Sequence, residues 1–471
     1  MPPLAELRLA AIAPELILTA TAIAILMIEV LRAPGRNRFG STLTLAGLAL
    51  AVYATLAAPA GAALEGTVIA DGLTRFARVL IAAVTALIAL AARPELRRAE
   101  RERGEFYALL LFAATGMMVL ASAAELMTLF IGLEIFSLAL YVLAGYLRER
   151  VECNEASLKY FLMGAVSSGF FLYGIALIYG ATGTTFLAAI QPRASDPLVL
   201  SGAALLLVGF AFKLSIVPFH MWTPDVYQGS PTIVTGFMTA ATKAAAFCAL
   251  LRTFRIGLVE LEPSWSASFT ILAALTMVLG NVAALAQRDL KRMLAYSSIA
   301  HAGYVLIGLT AGTNAAAGAM LFYLLVYALM GVGAFCALAA LTPKVGDSLL
   351  LDDLAGLSQR RPLAAAALAI FLFSLTGIPP TAGFMAKLYL FGAAVEAGQL
   401  PLVVLALLTS AIAAFYYLRP IVVMYMHAPA DAGLPRPALG AAAVLLVTAL
   451  LTLALGLAPG PALAWATQSL P

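Results

Sequence analysis

The feature that most constrains this chain is a succession of apolar runs of about twenty residues, each closed by charges, proline or glycine, along its 471 residues. About twenty apolar residues is what an α-helix needs to cross the hydrocarbon core of a bilayer. Spans are expected near 10–31, 40–60, 72–92, 104–122, 124–147, 156–180, 198–222, 231–254, 264–286, 291–311, 314–341, 362–397, 400–427 and 437–460. Continuous runs of this length exclude a membrane β-barrel, whose strands alternate over about ten residues. The fold class is therefore all-α, a polytopic membrane protein with about 14 transmembrane helices.

Composition agrees, with 63% hydrophobic and 11% charged residues and a mean hydropathy of +0.98. That excludes a soluble enzyme, a nucleic-acid binder and a disordered regulator. The first apolar run, interrupted by Pro14 and Glu15, lacks the pattern of a cleaved signal and reads as a retained span. Cys153, Cys248 and Cys336 are too far apart for a disulfide framework or a metal or iron–sulfur site, and no nucleotide-binding motif occurs.

Basic residues orient the bundle, because Lys and Arg concentrate in cytoplasmic loops. Seventeen fall after odd-numbered spans: Arg32, Arg36, Arg38, Arg93, Arg97, Arg98, Arg101, Arg103, Arg148, Arg150, Arg288, Lys291, Arg292, Lys344, Arg360, Arg361 and Arg436. The other side has only Arg8, Arg193, Arg252 and Arg255, so both termini are expected on the periplasmic side. The rest lie within spans. For Arg75, Arg78 and Arg419, as for Glu15 and Glu29, an interfacial position is the default.

Two spans are interrupted by proline, at Phe212-Lys213-Leu214-Ser215-Ile216-Val217-Pro218 and at Gly377-Ile378-Pro379-Pro380. Proline removes a backbone donor, and an opened helix at membrane depth is tolerated only inside protein or along water. Paired interruptions five spans apart suggest two inverted five-helix repeats with discontinuous seventh and twelfth helices. The expected division is a three-helix segment at 1–103, repeats at 104–254 and 264–427, and a C-terminal helix at 428–471.

A charge at the bilayer centre costs about 2.5–3.5 kcal/mol, so each one needs a partner, water or a function. Glu134 in the fifth span, Lys213 in the seventh, Lys243 in the eighth and Lys387 in the twelfth form a series of such groups. Burial disfavours the charged form of lysine and of glutamate, and an opposite charge nearby restores it, so small rearrangements can switch protonation. One intramembrane lysine reads equally well as a fixed ion pair. Three lysines and a glutamate beside two broken helices favour a proton relay. Lys159 either snorkels or joins the relay, and His301 is either a packing histidine or a proton carrier between the halves. His220 is expected to be structural, and the aromatic residues are expected to pack or face lipid.

The run from Phe212 to Pro231 resembles the seventh-helix signature of the antiporter-like membrane subunits of respiratory complex I, and its Asp225-Val226-Tyr227 resembles the N-type branch. Gly132-Leu133-Glu134, Leu158-Lys159-Tyr160-Phe161, Ala241-Thr242-Lys243, Asp289-Leu290-Lys291-Arg292, Ala295 through His301 and Gly377-Ile378-Pro379-Pro380 extend the resemblance over about residues 125–390. Ser230 and Thr381 depart from the usual Ala and Leu without removing an ionisable group, and the long lateral helix of the L type is not expected. The resemblance implies a proton-translocating, non-redox subunit of NADH:quinone oxidoreductase; a bacterial inner membrane is expected because the alanine-rich sequence shows no targeting segment. In it, Glu134 pairs with Lys213, and protons pass through Lys243 to Lys387, with Lys159 and His301 on the same axis. It also implies that this chain binds no cofactor, that NADH, FMN, iron–sulfur clusters and quinone belong to other subunits, and that K-type and M-type subunits are its neighbours. A cation/proton antiporter subunit of Mrp type is the alternative, and a structural spacer that carries no protons is a third reading.

Overall fold

The computed structural model describes residues 8–31, 39–190, 196–429 and 434–470. Arg32, Arg36, Arg38 and Arg193 of the orienting charges lie outside the described residues. The helices follow the apolar runs: α1 (Ala13–Leu31), α2 (Gly40–Ala57), α3 (Gly72–Arg98), α4 (Gly104–Ser122), α5 (Leu126–Ala144), α6 (Val151–Thr182) and α7 (Pro197–Leu214). A short α8 (Trp222–Gly229) follows, then α9 (Thr232–Phe237) and α10 (Lys243–Arg252), which a π-helical turn at Met238–Thr242 joins into one span. After these come α11 (Glu262–Leu285), α12 (Leu290–Thr310), α13 (Asn314–Leu341), the single turn α14 (Leu357–Arg360), α15 (Pro362–Thr376), α16 (Ala382–Glu396), α17 (Leu400–Met426), α18 (Leu439–Leu457) and α19 (Gly460–Gln468). Thirteen helical segments among the described residues are long and apolar enough to cross a membrane. The broken pair α15 and α16 occupies the expected twelfth position, so each of the fourteen expected spans has its counterpart.

Local sequence sets the helix ends. Asp71, Glu125, Asp196, Asp289 and Thr313 cap helices by accepting from the backbone N–H of Thr74, Thr128, Leu198, Arg292 and Ala316. These side chains satisfy donors that no preceding turn can reach. Pro197 and Pro362 begin α7 and α15, where the missing N–H is not needed.

Burial sorts the bundle into centre and periphery. The Thr232–Gly257 span is buried on all sides, and α12 and α13 nearly so, whereas α1, α2, α6, α11, α17 and α18 expose apolar side chains outward. Helices apolar on every face belong in such a centre. Close approach replaces the hydrophobic effect as the packing device within lipid. At the α4–α5 contact, a Cβ on Gly116 would stand 2.5 Å from the Phe136 nitrogen, and one on Gly132 2.5 Å from that of Leu120.

The two interruptions are built alike. Ser215 (φ 62°) ends α7 and Gly377 (φ 91°) ends α15, both in the left-handed region. In each the next amide, Ile216 or Ile378, reaches back to the carbonyl of Ala211 (2.8 Å) or Phe373 (3.0 Å). This is the Schellman pattern, which satisfies the carbonyls a helix end leaves open. The Val217 N–H donates to Thr276 Oγ1 on α11, and the Trp222 indole donates to the Phe212 carbonyl.

Several expectations about charge do not survive. Arg78 and Glu15, near the starts of α3 and α1, form a buried pair at 2.7 Å rather than facing solvent. Arg252 is buried against Asp71 rather than lying in a loop, and Lys291 is buried in the first turn of α12. Hydropathy alone cannot distinguish an interfacial charge from one whose partner arrives from a distant helix.

Candidate functional site

Lys213 is the penultimate residue of α7, at the interruption, and is only 4% exposed. Its Nζ has no hydrogen-bond partner. The rings of Tyr160, Phe136, Tyr141 and Phe212 surround it at 5.0, 5.2, 5.2 and 5.6 Å from their centroids. Cation–π attraction offsets part of the cost of a buried ammonium, while a neutral amine also fits an apolar cage. Tyr160 stacks on Trp222, centroids 4.5 Å apart, which ties the cage to the second half of the broken helix.

Glu134 is half-buried on α5, next to the exposed Ile131, Ile135 and Leu138, and accepts a hydrogen bond from Ser168 on α6. It forms no ion pair with Lys213 within 4 Å. The serine bonds one carboxylate oxygen, and Glu134 remains near enough for its charge to act on Lys213.

Lys243 opens α10 directly after the π turn, and its Nζ donates to the Ser298 carbonyl of α12. A π turn inserts one residue into the helical register and frequently marks functional positions. The Tyr327 ring, centroid 5.9 Å from that Nζ, also lies 4.9 Å from the His301 ring. His301 is buried, with Nδ1 2.7 Å from the Tyr323 hydroxyl and Nε2 3.1 Å from that of Tyr417. Tyr417 also bonds Ser297. From there the polar line continues through Tyr416, whose ring lies 4.4 Å from that of Tyr417 and whose hydroxyl donates to Asn281 at 2.9 Å; Asn281 donates at 3.0 Å to Tyr304, whose ring centroid is 5.1 Å from the Lys387 Nζ. Lys387 donates to the Thr376 carbonyl and the Ser410 hydroxyl, each at 2.8 Å.

The structure thus brings Lys243, His301 and Lys387 into one buried polar line. Lys159 is not on it: its Nζ bridges Glu155 (2.7 Å) and Asp225 (2.8 Å) in a partly exposed cluster that Arg292 joins through Asp225. Sequence reading missed Tyr304, Tyr323, Tyr327 and Tyr417, which were expected to pack or face lipid. The Tyr323 and Tyr417 hydroxyls bond the imidazole and the rings of Tyr304 and Tyr327 flank it, and the i, i+4 spacing of Tyr323 and Tyr327 in a run with no other polar residue between Asn314 and Cys336 was the available signal. Among the described residues, no three His, Cys, Asp or Glu side chains converge as metal ligands would.

A family described as "NADH:quinone oxidoreductase/Mrp antiporter, TM" matches residues 123–413. An NADH-quinone oxidoreductase subunit N from Trichlorobacter lovleyi is 44% identical over 89% of this chain and 88% of its own, and one from Solibacter usitatus is 45% identical over 97% and 96%. The chain belongs to the N subunits of NADH-quinone oxidoreductase. A chain of respiratory complex I from Thermus thermophilus superimposes on this N subunit with a TM-score of 0.83 at 39% identity, covering 96% of this chain and 98% of that one. A chain of the Mrp complex from a Dietzia species gives a TM-score of 0.85 at 23% identity, covering 98% and 97%. That likeness shows a shared fold, and sequence identity separates the N-subunit reading from the weaker Mrp one.

Proposed function

We propose that this N subunit carries protons across the bilayer along Glu134, Lys213, Lys243, His301 and Lys387 and holds no redox group itself. Quinone reduction in other subunits of the complex drives the transfer. One observation carries this reading: three lysines and a histidine are buried in the bundle, and His301, flanked by the rings of Tyr327 and Tyr304, stands between Lys243 and Lys387. Such groups exchange protons by small displacements. Glu134, at the margin of an exposed apolar face, is where a neighbouring subunit's charge acts on the line, and K-type and M-type subunits are the proposed neighbours. NADH, FMN, iron–sulfur clusters and quinone then belong to those other subunits.

The division into repeats at 104–254 and 264–427 belongs to the same proposal. It is supported by the matched interruptions and by a glycine contact at α11–α12, where a Cβ on Gly280 would lie 2.6 Å from the Ala300 nitrogen, like that at α4–α5. Both termini are proposed to be periplasmic, in a bacterial inner membrane, from the excess of basic residues on the other side. The test is to capture the complex through this chain and compare NADH:quinone reductase activity and proton pumping in wild type, Lys213→Met and Lys243→Met. Assembled variants that lose pumping support the relay. Full pumping in both would favour a spacer, and capture without NADH oxidation would favour an antiporter.

A further inference from the structure

Two buried ionisable groups lie outside the line just described. Glu95, near the end of α3, is 4% exposed, and Lys291, in the first turn of α12, is 1% exposed. They face one turn from opposite sides. Lys291 Nζ donates at 2.6 Å to the carbonyl of Ser230. The Glu95 carboxylate lies against the backbone N–H groups of Thr232 and Ile233, the first of the eighth span. The Oε2 atom of Glu95 has no hydrogen-bond partner, and Glu95 lines a cavity of about 710 Å³ between α2, α3, α13 and α18 that Arg93, Arg97 and Arg436 also line. Its lining is mostly apolar, but Glu95, Ser41, Thr42 and four arginines supply polar groups that can hold water there.

From this turn inward, buried hydroxyls lead to the line. Ser230 Oγ is buried without a partner, and the buried Thr239 and Ser298 hydroxyls both lie against the hydroxyl of Tyr227. An unsatisfied buried polar atom is uncommon and calls for water or a mobile proton, and clustered hydroxyls can pass one on. Helix periodicity supplies the direction. Lys291, Ser298 and His301 stand at i, i+7 and i+10, on one face of α12. The carbonyl of Ser298 already holds Lys243.

We infer that Glu95 and Lys291 form the proton-uptake site of this chain, loading Lys243 from the cavity beside α3; this rests on the relay proposed above. The Glu95 carboxylate takes a proton from cavity water, leaving hydroxide or the water of a hydronium behind, and becomes the neutral acid. That proton passes to the neutral amine of Lys291, restoring the carboxylate. The Lys291 ammonium then releases a proton through the serine hydroxyls to the neutral Lys243 amine. The basic residues around the cavity place its mouth on the proposed cytoplasmic side, where uptake must occur.

The test uses the assembled complex in sealed vesicles, with quinone reduction and pumping read together, and Lys243→Met as reference. Lys291→Arg keeps the charge and a donor to Ser230 but does not surrender its proton. It is expected to assemble and lose most pumping, whereas a purely structural lysine would tolerate it. Glu95→Gln is expected to lose pumping similarly, Glu95→Asp to recover part of it, and Glu95→Gln with Lys243→Met to be no worse than Lys243→Met alone. Wild-type pumping in Lys291→Arg, with pumping lost in Lys243→Met, overturns the uptake site and leaves the relay standing. Wild-type pumping in Lys243→Met overturns the relay and this site with it. Should Glu95→Gln fail to assemble, Lys291→Arg alone decides.

Discussion

Lys387, on the second half of the broken twelfth helix, caps the first half: its ammonium donates at 2.8 Å to the carbonyl of Thr376, the last residue of α15. A cation at a helix C-terminus meets both the open carbonyls and the negative end of the helix dipole. The lysine therefore joins two helices as well as standing on the polar line. Lys387→Met is expected to lower the heat-inactivation midpoint of the purified complex, with a cost of about 2 kcal/mol for a lost hydrogen bond to a charged donor. Lys387→Arg should restore much of that midpoint without restoring proton pumping. An unchanged midpoint in Lys387→Met would show that the cap contributes nothing.

Lys213 should behave in the opposite way. Its Nζ has no hydrogen bond to lose and is held in a cage of aromatic rings. Methionine is of similar length and makes favourable contacts between sulfur and aromatic rings. Lys213→Met is therefore expected to assemble and to keep the wild-type heat-inactivation midpoint while coupled turnover falls. Loss of assembly would mean that the ammonium is needed to hold the interruption together.

Tyr417 connects α17 to α12 through both Ser297 and His301. Tyr417→Phe preserves the ring and leaves both partners short of a bond, at a cost of about 1–3 kcal/mol for the unsatisfied groups. Pumping should fall more than quinone reduction, and Tyr323→Phe, which removes the other His301 contact, should act in the same direction. If both variants pump normally, His301 is a packing residue.

The apolar runs were enough to read the spans, because a bilayer leaves helices as the only continuous solution, and proline placed both interruptions. What remained hidden depended on contacts between distant positions. Nothing in the run around Lys243 announces a π turn, since inserting a residue into a helix leaves its composition unchanged. The sequence also suggested that Glu134 and Lys213 act together, and the Glu134 charge does act on Lys213, but it could not show that Ser168 bonds the carboxylate in place of a direct ion pair. Arg252 read as a loop charge because its partner, Asp71, lies 181 residues away along the chain. Tyr323 and Tyr327 read as packing residues because a tyrosine's apolar ring and polar hydroxyl serve either role.

The Asp71–Arg252 pair yields a pH dependence that can be measured independently of proton pumping. Asp71 precedes α3, outside the membrane span, and Arg252 donates to its two oxygens at 2.7 and 2.8 Å. Burial works against the carboxylate, but the hydrogen bonds and charge of Arg252 outweigh it and hold Asp71 below the usual carboxylate range. A folded-state value below the unfolded one means that the stabilisation is fully present above the unfolded value of about 3.9 and is lost as pH falls through the folded value. The wild-type heat-inactivation midpoint should therefore drop more steeply below about pH 4 than that of Asp71→Asn. At neutral pH the substitution leaves a buried guanidinium without its counter-charge, and the midpoint should fall by the equivalent of about 3 kcal/mol. Parallel profiles for the two proteins from pH 7 downward would show that this pair does not set the acid limb.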